Sequence, residues 1–345
     1  MLAVSSIQDD AKAETGRQAW YQAIARFEKP DLRKASWQIA NTLVPYVLLW
    51  TVMVWAVRAD APYWVVLLLT LPAGLFMVRL FILFHDCAHQ SFFSSKRANR
   101  IFGYISGVLT FTPYEKWRSA HWKHHGTVAN LDRRGSGDFW TMTKSEYLES
   151  PGWKRWVYRL ARHPFVVFVL GPVFIFVVAQ RFPISAQTRK ERTSVYLADL
   201  GILGIALAVG LAFGFWTYLI IQLPIIFIGG MLGLWLFYVQ HNFEGVYWAR
   251  RDEWDRMKAA LEGSSFYRLP RVLQWFTGNI GFHHVHHVRP MIPNYHLEKC
   301  CASEPALREI KPLTVRRSLR SIGLSLWDEQ NKKLVSFRSL KKAQV

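Results

Sequence analysis

Cysteine is scarce in this 345-residue chain: Cys87, Cys300 and Cys301 are the whole complement, and the last two are adjacent, where a bridge is strained. A disulfide framework is therefore excluded, and a reducing environment for the working surface is expected. Acidic side chains are also few, 24 Asp and Glu against 43 Lys and Arg, for a formal charge of +19. There is no internal repeat and no low-complexity linker. Residues 1–30 carry Asp9, Asp10, Glu14 and Glu28 and lack the apolar core of a signal peptide, so none is expected. What abounds is apolar mass: 51% of the residues are hydrophobic, with 16 Trp and 23 Phe, which excludes disorder. Mean hydropathy is nevertheless only +0.06, so those residues lie in blocks. Beside such blocks the positive charge points to a membrane surface and not to nucleic acid, since no motif for reading bases accompanies it.

Ile39–Val57 holds nineteen residues without a charge and Trp64–Phe84 twenty-one with only Arg79, each close to the ~20 that cross a bilayer core. No charge occurs over the forty-one residues Leu200–Gln240, about twice that length, which predicts two spans with a turn near Gly214–Thr217. A fifth stretch, Phe165–Gln180, has only sixteen residues, carries Gly171-Pro172 at its middle, and is flanked by Arg155, Arg159 and Arg162 before it and Arg181, Arg189, Lys190 and Arg192 after it. Basic residues at both ends place both ends on one side, so a re-entrant or interfacial segment is expected. With four spans, Arg58 is the one basic residue outside. With Arg79 set aside as buried, forty-one of 43 Lys and Arg are then cytoplasmic, as are both termini.

The 12 histidines are clustered. His85 and His89 are four apart directly after the second span, on one helical face. His121, His124 and His125 have the spacing i, i+3, i+4, and His283, His286 and His287 repeat it; His241 follows the last span. His284 can replace His283 only by breaking that spacing. His163 and His296 stand alone and read as surface or structural histidines. If the clusters share one site, the number of crossings between any two must be even. Three apolar stretches separate His125 from His241, so one of them does not cross, and Phe165–Gln180 is the one already set apart by its flanking charge.

Nine imidazoles on one membrane face are too many for a single four-coordinate zinc, and no cysteine pattern joins them, so two transition-metal ions are implied. Imidazole suits iron, copper, nickel or zinc, and an all-histidine site open to dioxygen leans towards iron. Asp86, Asp132, Asp138 and Glu244 flank the clusters. A carboxylate on the second ring nitrogen would fix tautomer and orientation, although each taken singly reads equally well as a solvated charge. A metal transporter would place its ligands near mid-bilayer, and a bis-histidine haem protein would pair histidines mid-span; neither pattern is present.

The order His-x-x-x-His, His-x-x-His-His, His-x-x-His-His resembles the membrane fatty acid desaturase and hydroxylase superfamily from about Leu43 to Leu297. Within it, four stretches are similar to the acyl-lipid Δ12 (omega-6) desaturases: His85 to Phe93, Pro113 to Arg118, His121 to Asp138, and Thr277 to His287, followed by Ile292-Pro-Asn-Tyr295. The resemblance implies an all-α integral membrane fold of four transmembrane helices, an interfacial or re-entrant segment and a cytosolic helical cap holding a di-metal site. The boundaries expected are a cytosolic tail 1–36, a membrane desaturase domain 37–300 and a basic cytosolic tail 301–345. It implies two Fe2+ ions on His85, His89, His121, His124, His125, His241, His283, His286 and His287. Some members carry an Asn one turn before the histidine after the last span; Phe237 stands there, so a tenth ligand lacks its donor.

The implied activity is insertion of a cis double bond into a membrane-lipid acyl chain with O2, at Δ12 of a monounsaturated chain. Sister hydroxylase, ketolase, acetylenase and epoxidase reactions on an acyl chain or a carotenoid are the alternative. No His-Pro-Gly-Gly haem motif occurs, only His163-Pro-Phe-Val, so electrons are expected from a separate ferredoxin-like or cytochrome b5-like carrier. A multi-pass place in a bacterial inner membrane follows. Trp and Phe in Ile101–Thr112 and Trp275–Phe282 are the expected lining of an acyl tunnel.

Overall fold

The computed structural model describes residues 19–135 and 138–342. The first half of the N-terminal tail, Ser136 and Gly137, and the last three residues lie outside the described residues. Among the described residues four helices are long and apolar enough to cross a membrane. Helix α1 (Leu32–Arg58) begins where the Asp31 carboxylate accepts the backbone N–H groups of Arg33 and Lys34, satisfying donors that the first turn leaves free. Helix α2 (Tyr63–Ala88) returns after a four-residue turn. The second pair is tighter still: α6 (Arg189–Phe213) and α7 (Phe215–His241) are separated by Gly214 alone, at φ +100°, a conformation glycine adopts without a Cβ penalty. The turn predicted for Gly214–Thr217 is thus a single residue.

Between the pairs lie α3 (Lys96–Leu109), α4 (Tyr114–Thr127) and α5 (Gly152–Ala161). The segment Val166–Arg181 bends 56° from α5 and runs through π- and 3-10 turns around Pro172, whose missing N–H breaks the regular ladder. It is neither a straight continuation of α5 nor a regular helix, and its geometry suits a broken span as well as the re-entrant or interfacial segment expected from the sequence.

Close backbone approach fixes α2 against α7. A Cβ on Gly74 would lie 2.5 Å from Ile228 Cγ2 and one on Gly229 3.0 Å from Met77 Sδ, so larger residues there would force the two helices apart. Buried Arg79 is held on this scaffold by neutral acceptors: its Nε donates to Thr42 Oγ1 at 3.0 Å, its Nη1 to the Trp275 carbonyl, and its guanidinium lies 3.9 Å from the Trp275 ring centroid. The outward faces of the four helices are apolar, as Leu48, Leu68, Leu211 and Leu223 illustrate.

The histidine-bearing end is capped by α8 (His283–Val288), α9 (Asn294–Ser303) and the remaining chain. Five strands of two or three residues tie this cap. Strand β1 (Met142–Thr143) runs parallel to β4 (Leu326–Asp328), which pairs antiparallel with β5 (Lys333–Val335), and β2 (Tyr267–Arg268) runs parallel to β3 (Leu313–Thr314). The stretch read as a C-terminal tail is therefore folded: Leu307, Leu326, Trp327 and Leu334 are buried, and Tyr158 of α5 donates its hydroxyl to the Ser325 carbonyl. At the other terminus Ile24 is buried against α8 and α9.

Candidate metal centre

Each histidine arrives on a helix whose period aims it inward. The last turn of α2 presents His85 and, at its cap, His89; α4 presents His121, His124 and His125; α7 ends on His241; and α8 presents His283, His286 and His287. The nine fall into two groups. His85, His89, His121, His125 and His286 form one, and His124, His241, His283 and His287 the other, with ligand atoms in each group within 4.8 Å of one another. Helix α4 serves both because His121 and His125 are one turn apart and His124 is offset around the helix axis.

The ring nitrogens face each other. Nε2 atoms stand 3.0 Å apart between His85 and His121, 3.1 Å between His124 and His241, 2.9 Å between His241 and His283, and 3.0 Å between His125 and His286. Ordinary hydrogen bonding does not account for this. His124 donates Nδ1–H to Asp138 Oδ1 at 2.5 Å and His241 donates Nδ1–H to the Gly263 carbonyl at 3.0 Å, so in the neutral rings both Nε2 atoms carry lone pairs and no proton. Two lone pairs converging at 3.1 Å call for a cation. Neither nitrogen of His89 has any partner among the described residues, although the ring is buried. Burial, reinforced by neighbouring imidazoles, pushes the pKa values of His121, His125, His283, His286 and His287 well below the ordinary histidine range, which keeps these rings in the ligating form. The donor set fits two metal ions, one per group.

Of the four flanking carboxylates the fold brings two to the rings. Asp86 Oδ1 accepts a hydrogen bond from His85 Nδ1–H at 3.1 Å, while its Oδ2 accepts from Asn294 N at 2.6 Å and Asn294 Nδ2 at 2.8 Å; Asn294 Oδ1 in turn accepts from Gln38 Nε2 at 2.8 Å. Asp138 holds His124. Asp132 instead accepts Arg250 Nη1 at 2.7 Å and Arg251 N at 2.8 Å at the surface, and Glu244 pairs at 3.6 Å with exposed Arg320, so neither orients a ligand. The two candidates for the first position of the third cluster lie apart. His283 joins the second group, whereas His284 points away and hydrogen-bonds the Leu307 carbonyl at 3.0 Å. His296 bridges the Phe27 carbonyl and Lys34, a structural part, and His163 is exposed. Phe237 packs its ring against His124 and His241 and brings no donor.

A cavity of about 490 Å3 opens onto the centre. His85, His121, His124 and His283 form its polar end, and Phe81, Ile175, Phe176, Leu234 and Phe237 wall the rest. The stretches expected to line a tunnel contribute only Thr110 and Ile280. Trp275 packs on Phe76 and Arg79, and Phe282 stacks on Phe266. The walls come instead from α2, α7 and the bent segment, which places Ile175, Phe176 and Gln180 in the cavity.

The family model described as fatty acid desaturase matches residues 61–313, which span every histidine of the centre. The chain belongs to the fatty acid desaturase family. This desaturase is 45% identical over 322 residues to a protein of Bacillus subtilis (strain 168) named fatty acid desaturase, covering 93% of this chain and 91% of the relative. It is 27% identical over 262 residues to the sn-1 acyl-lipid omega-3 desaturase (ferredoxin) of Nostoc sp. (strain 36), covering 72% and 69% of the two chains. It is also 27% identical over 263 residues to the sn-1 oleoyl-lipid 12-desaturase of Picosynechococcus sp., covering 72% of each. As a member of that family it is an oxidoreductase, and its four apolar helices make it a membrane protein.

Proposed function

We propose that the protein uses O2 to introduce a cis double bond into an acyl chain of a membrane lipid, at the Δ12 position of a monounsaturated chain. The observation that carries the reaction class is the meeting of an all-imidazole double cluster with an apolar cavity of about 490 Å3. Two iron ions on the nine histidines would supply the oxidising power, drawn from dioxygen and two external electrons, that unactivated methylenes require. The chain's own part is placement. Phe81, Phe176 and Phe237 exclude water and confine an alkyl chain whose reactive carbons must lie beside the His85, His121, His124 and His283 end, because a displacement of ~1 Å changes which bond reacts. Asp86, Asp138 and the Gly263 carbonyl keep protons on Nδ1 and leave Nε2 free to ligate.

The Δ12 position is supported by the motifs and by the name of the Picosynechococcus relative at 27% identity. The name of the 45% identical relative specifies no position. A separate ferredoxin-like or cytochrome b5-like protein delivers the electrons, a reading supported by the name of the Nostoc relative. The histidine centre and both termini lie on the cytoplasmic face of a bacterial inner membrane, as the basic residues favour. Expression in a host whose lipids contain only saturated and monounsaturated chains tests the function, with double bonds located by mass spectrometry of derivatised esters. A new bond at Δ12 is expected. A new bond elsewhere overturns the position, and a hydroxylated product overturns desaturation.

A further inference from the structure

Away from the metal centre, Arg159, Arg162, His163 and Arg338, with Ser325 and Ser336, line a cleft of about 590 Å3 between the end of α5 and the C-terminal segment. No Asp or Glu lines it. Arg162 is the anomaly. It is only 4% exposed, and an arginine keeps its charge at any accessible pH. Its Nη2 donates to Asn242 Oδ1 and the Leu324 carbonyl, each at 2.8 Å, and to Tyr238 Oη at 3.3 Å. Its Nε and Nη1 donate to nothing among the described residues. All its partners are neutral, so the charge itself is uncompensated, a costly state for a buried group. Arg159 is held in place by Tyr147, whose hydroxyl accepts its Nε at 2.6 Å, and by the Phe337 ring at 5.0 Å. Arg338 is exposed and makes no ion pair among the described residues. Three permanent cations therefore meet two hydroxyls in one cleft without a counter-charge, which is the donor chemistry of a phosphate site.

The surroundings identify the source of that phosphate. Helix α5 turns Trp153, Trp156, Val157 and Leu160 outward, with Trp153 69% and Trp156 64% exposed, while Arg159 and Arg162 lie on the other face. An amphipathic helix with tryptophans outward and arginines behind lies at the bilayer interface, at headgroup depth. The cleft also adjoins the cavity wall: Tyr238, which accepts from Arg162, packs 4.9 Å from Phe139, and Phe139 lines the cavity.

We propose that this cleft binds the phosphate of a phospholipid headgroup. The inference stands on the cleft alone and not on the desaturase reading. Native mass spectrometry of the full chain in neutral detergent tests it, with titrations of phosphatidylglycerol, of diacylglycerol with the same acyl chains, and of inorganic phosphate. One phosphatidylglycerol is expected to bind saturably, at least about tenfold more weakly in R159Q/R338Q, whose two side chains are exposed so that the fold survives. Arg162→Gln should weaken it further, and diacylglycerol should not saturate. Unchanged lipid affinity in R159Q/R338Q, or no saturable phosphatidylglycerol in the unaltered chain, would overturn the proposal. Inorganic phosphate binding as tightly as the lipid would overturn the headgroup assignment in favour of the free ion. Desaturation by the same preparations is scored separately, so a failed cleft and a failed desaturase reading are distinguishable.

Discussion

Asp138 and Asp132 sit six residues apart in one motif, and the fold gives them different work. Asp138 is buried against His124, with 2.5 Å between Oδ1 and Nδ1, whereas Asp132 lies at the surface with Arg250. Replacing Asp138 by Asn removes a charge-assisted hydrogen bond, about twice as strong as a neutral one, and lets the amide NH2 face a ring that must donate. The ring can then move its proton to Nε2, the atom that faces His241 within the four-histidine group. Carboxylate partners of this kind are worth ~10–100-fold in metal affinity, or about 1.4–2.7 kcal/mol. Because His124 belongs to the four-histidine group, the loss should fall on one of the two ions. Iron per chain, measured after dialysis against graded chelator, should drop from about two towards one in Asp138→Asn, with the activity lost in step. Asp132→Asn removes only an exposed, solvent-screened pair with Arg250 and should leave metal retention unchanged. Loss of metal in Asp132→Asn with retention in Asp138→Asn would refute the assignment.

His283→Ala should abolish activity and release iron, whereas His284→Ala should keep both and lower stability by ~1–3 kcal/mol, read as a fall in Tm, because it empties a buried site and leaves the Leu307 carbonyl only the weak Cys301 Sγ donor. A Cβ on Gly233 meets nothing within 4 Å and the residue lines the cavity, so Gly233→Leu should fold and load metal normally yet cut turnover of long acyl chains by ~10–200-fold, with shorter chains favoured. Metal-free protein should lose stability as pH falls below about 6.5: the unfolded histidines then take up protons, while His121, His125 and His286, with depressed pKa values, do not. Thermal melts of chelated protein from pH 8 to pH 5 check this; a flat profile would contradict it. Cysteines introduced at Lys123 and Arg189, both exposed, should react with an impermeant maleimide only from the cytoplasmic side, and labelling of position 189 from outside would break the proposed topology.

The histidine clusters were legible because helices carry them and the helical period is visible in sequence: spacings of three and four put His121, His124 and His125 together. The carboxylates were not. Asp86, Asp132, Asp138 and Glu244 are all near a histidine along the chain, and only tertiary placement separates the two that reach a ring from the two that pair with Arg250 and Arg320. The Gly263 carbonyl leaves no mark in side-chain chemistry at all. Asn294, which carries Asp86, was visible only as part of Ile292-Pro-Asn-Tyr295. Cavity walls eluded sequence because any apolar face of α2 or α7 suits lipid as well as substrate. The C-terminal fold was hidden because strands of two or three residues are too short to show a period.

The bond between Asp86 and Asn294 spans 208 residues, and at ~5–20 residues per second those residues take about 10–40 s to synthesise. For that interval the first helical hairpin holds its histidines without the groups that complete them. His85 waits for His286, and Asp86 for the amide that makes its second bond. Neither histidine group is complete before the last cluster has left the ribosome, so the site is assembled late in synthesis. Through that interval the nascent chain carries Asp86 near the end of α2 with its local contact to His85 available and its Asn294 partner still to come.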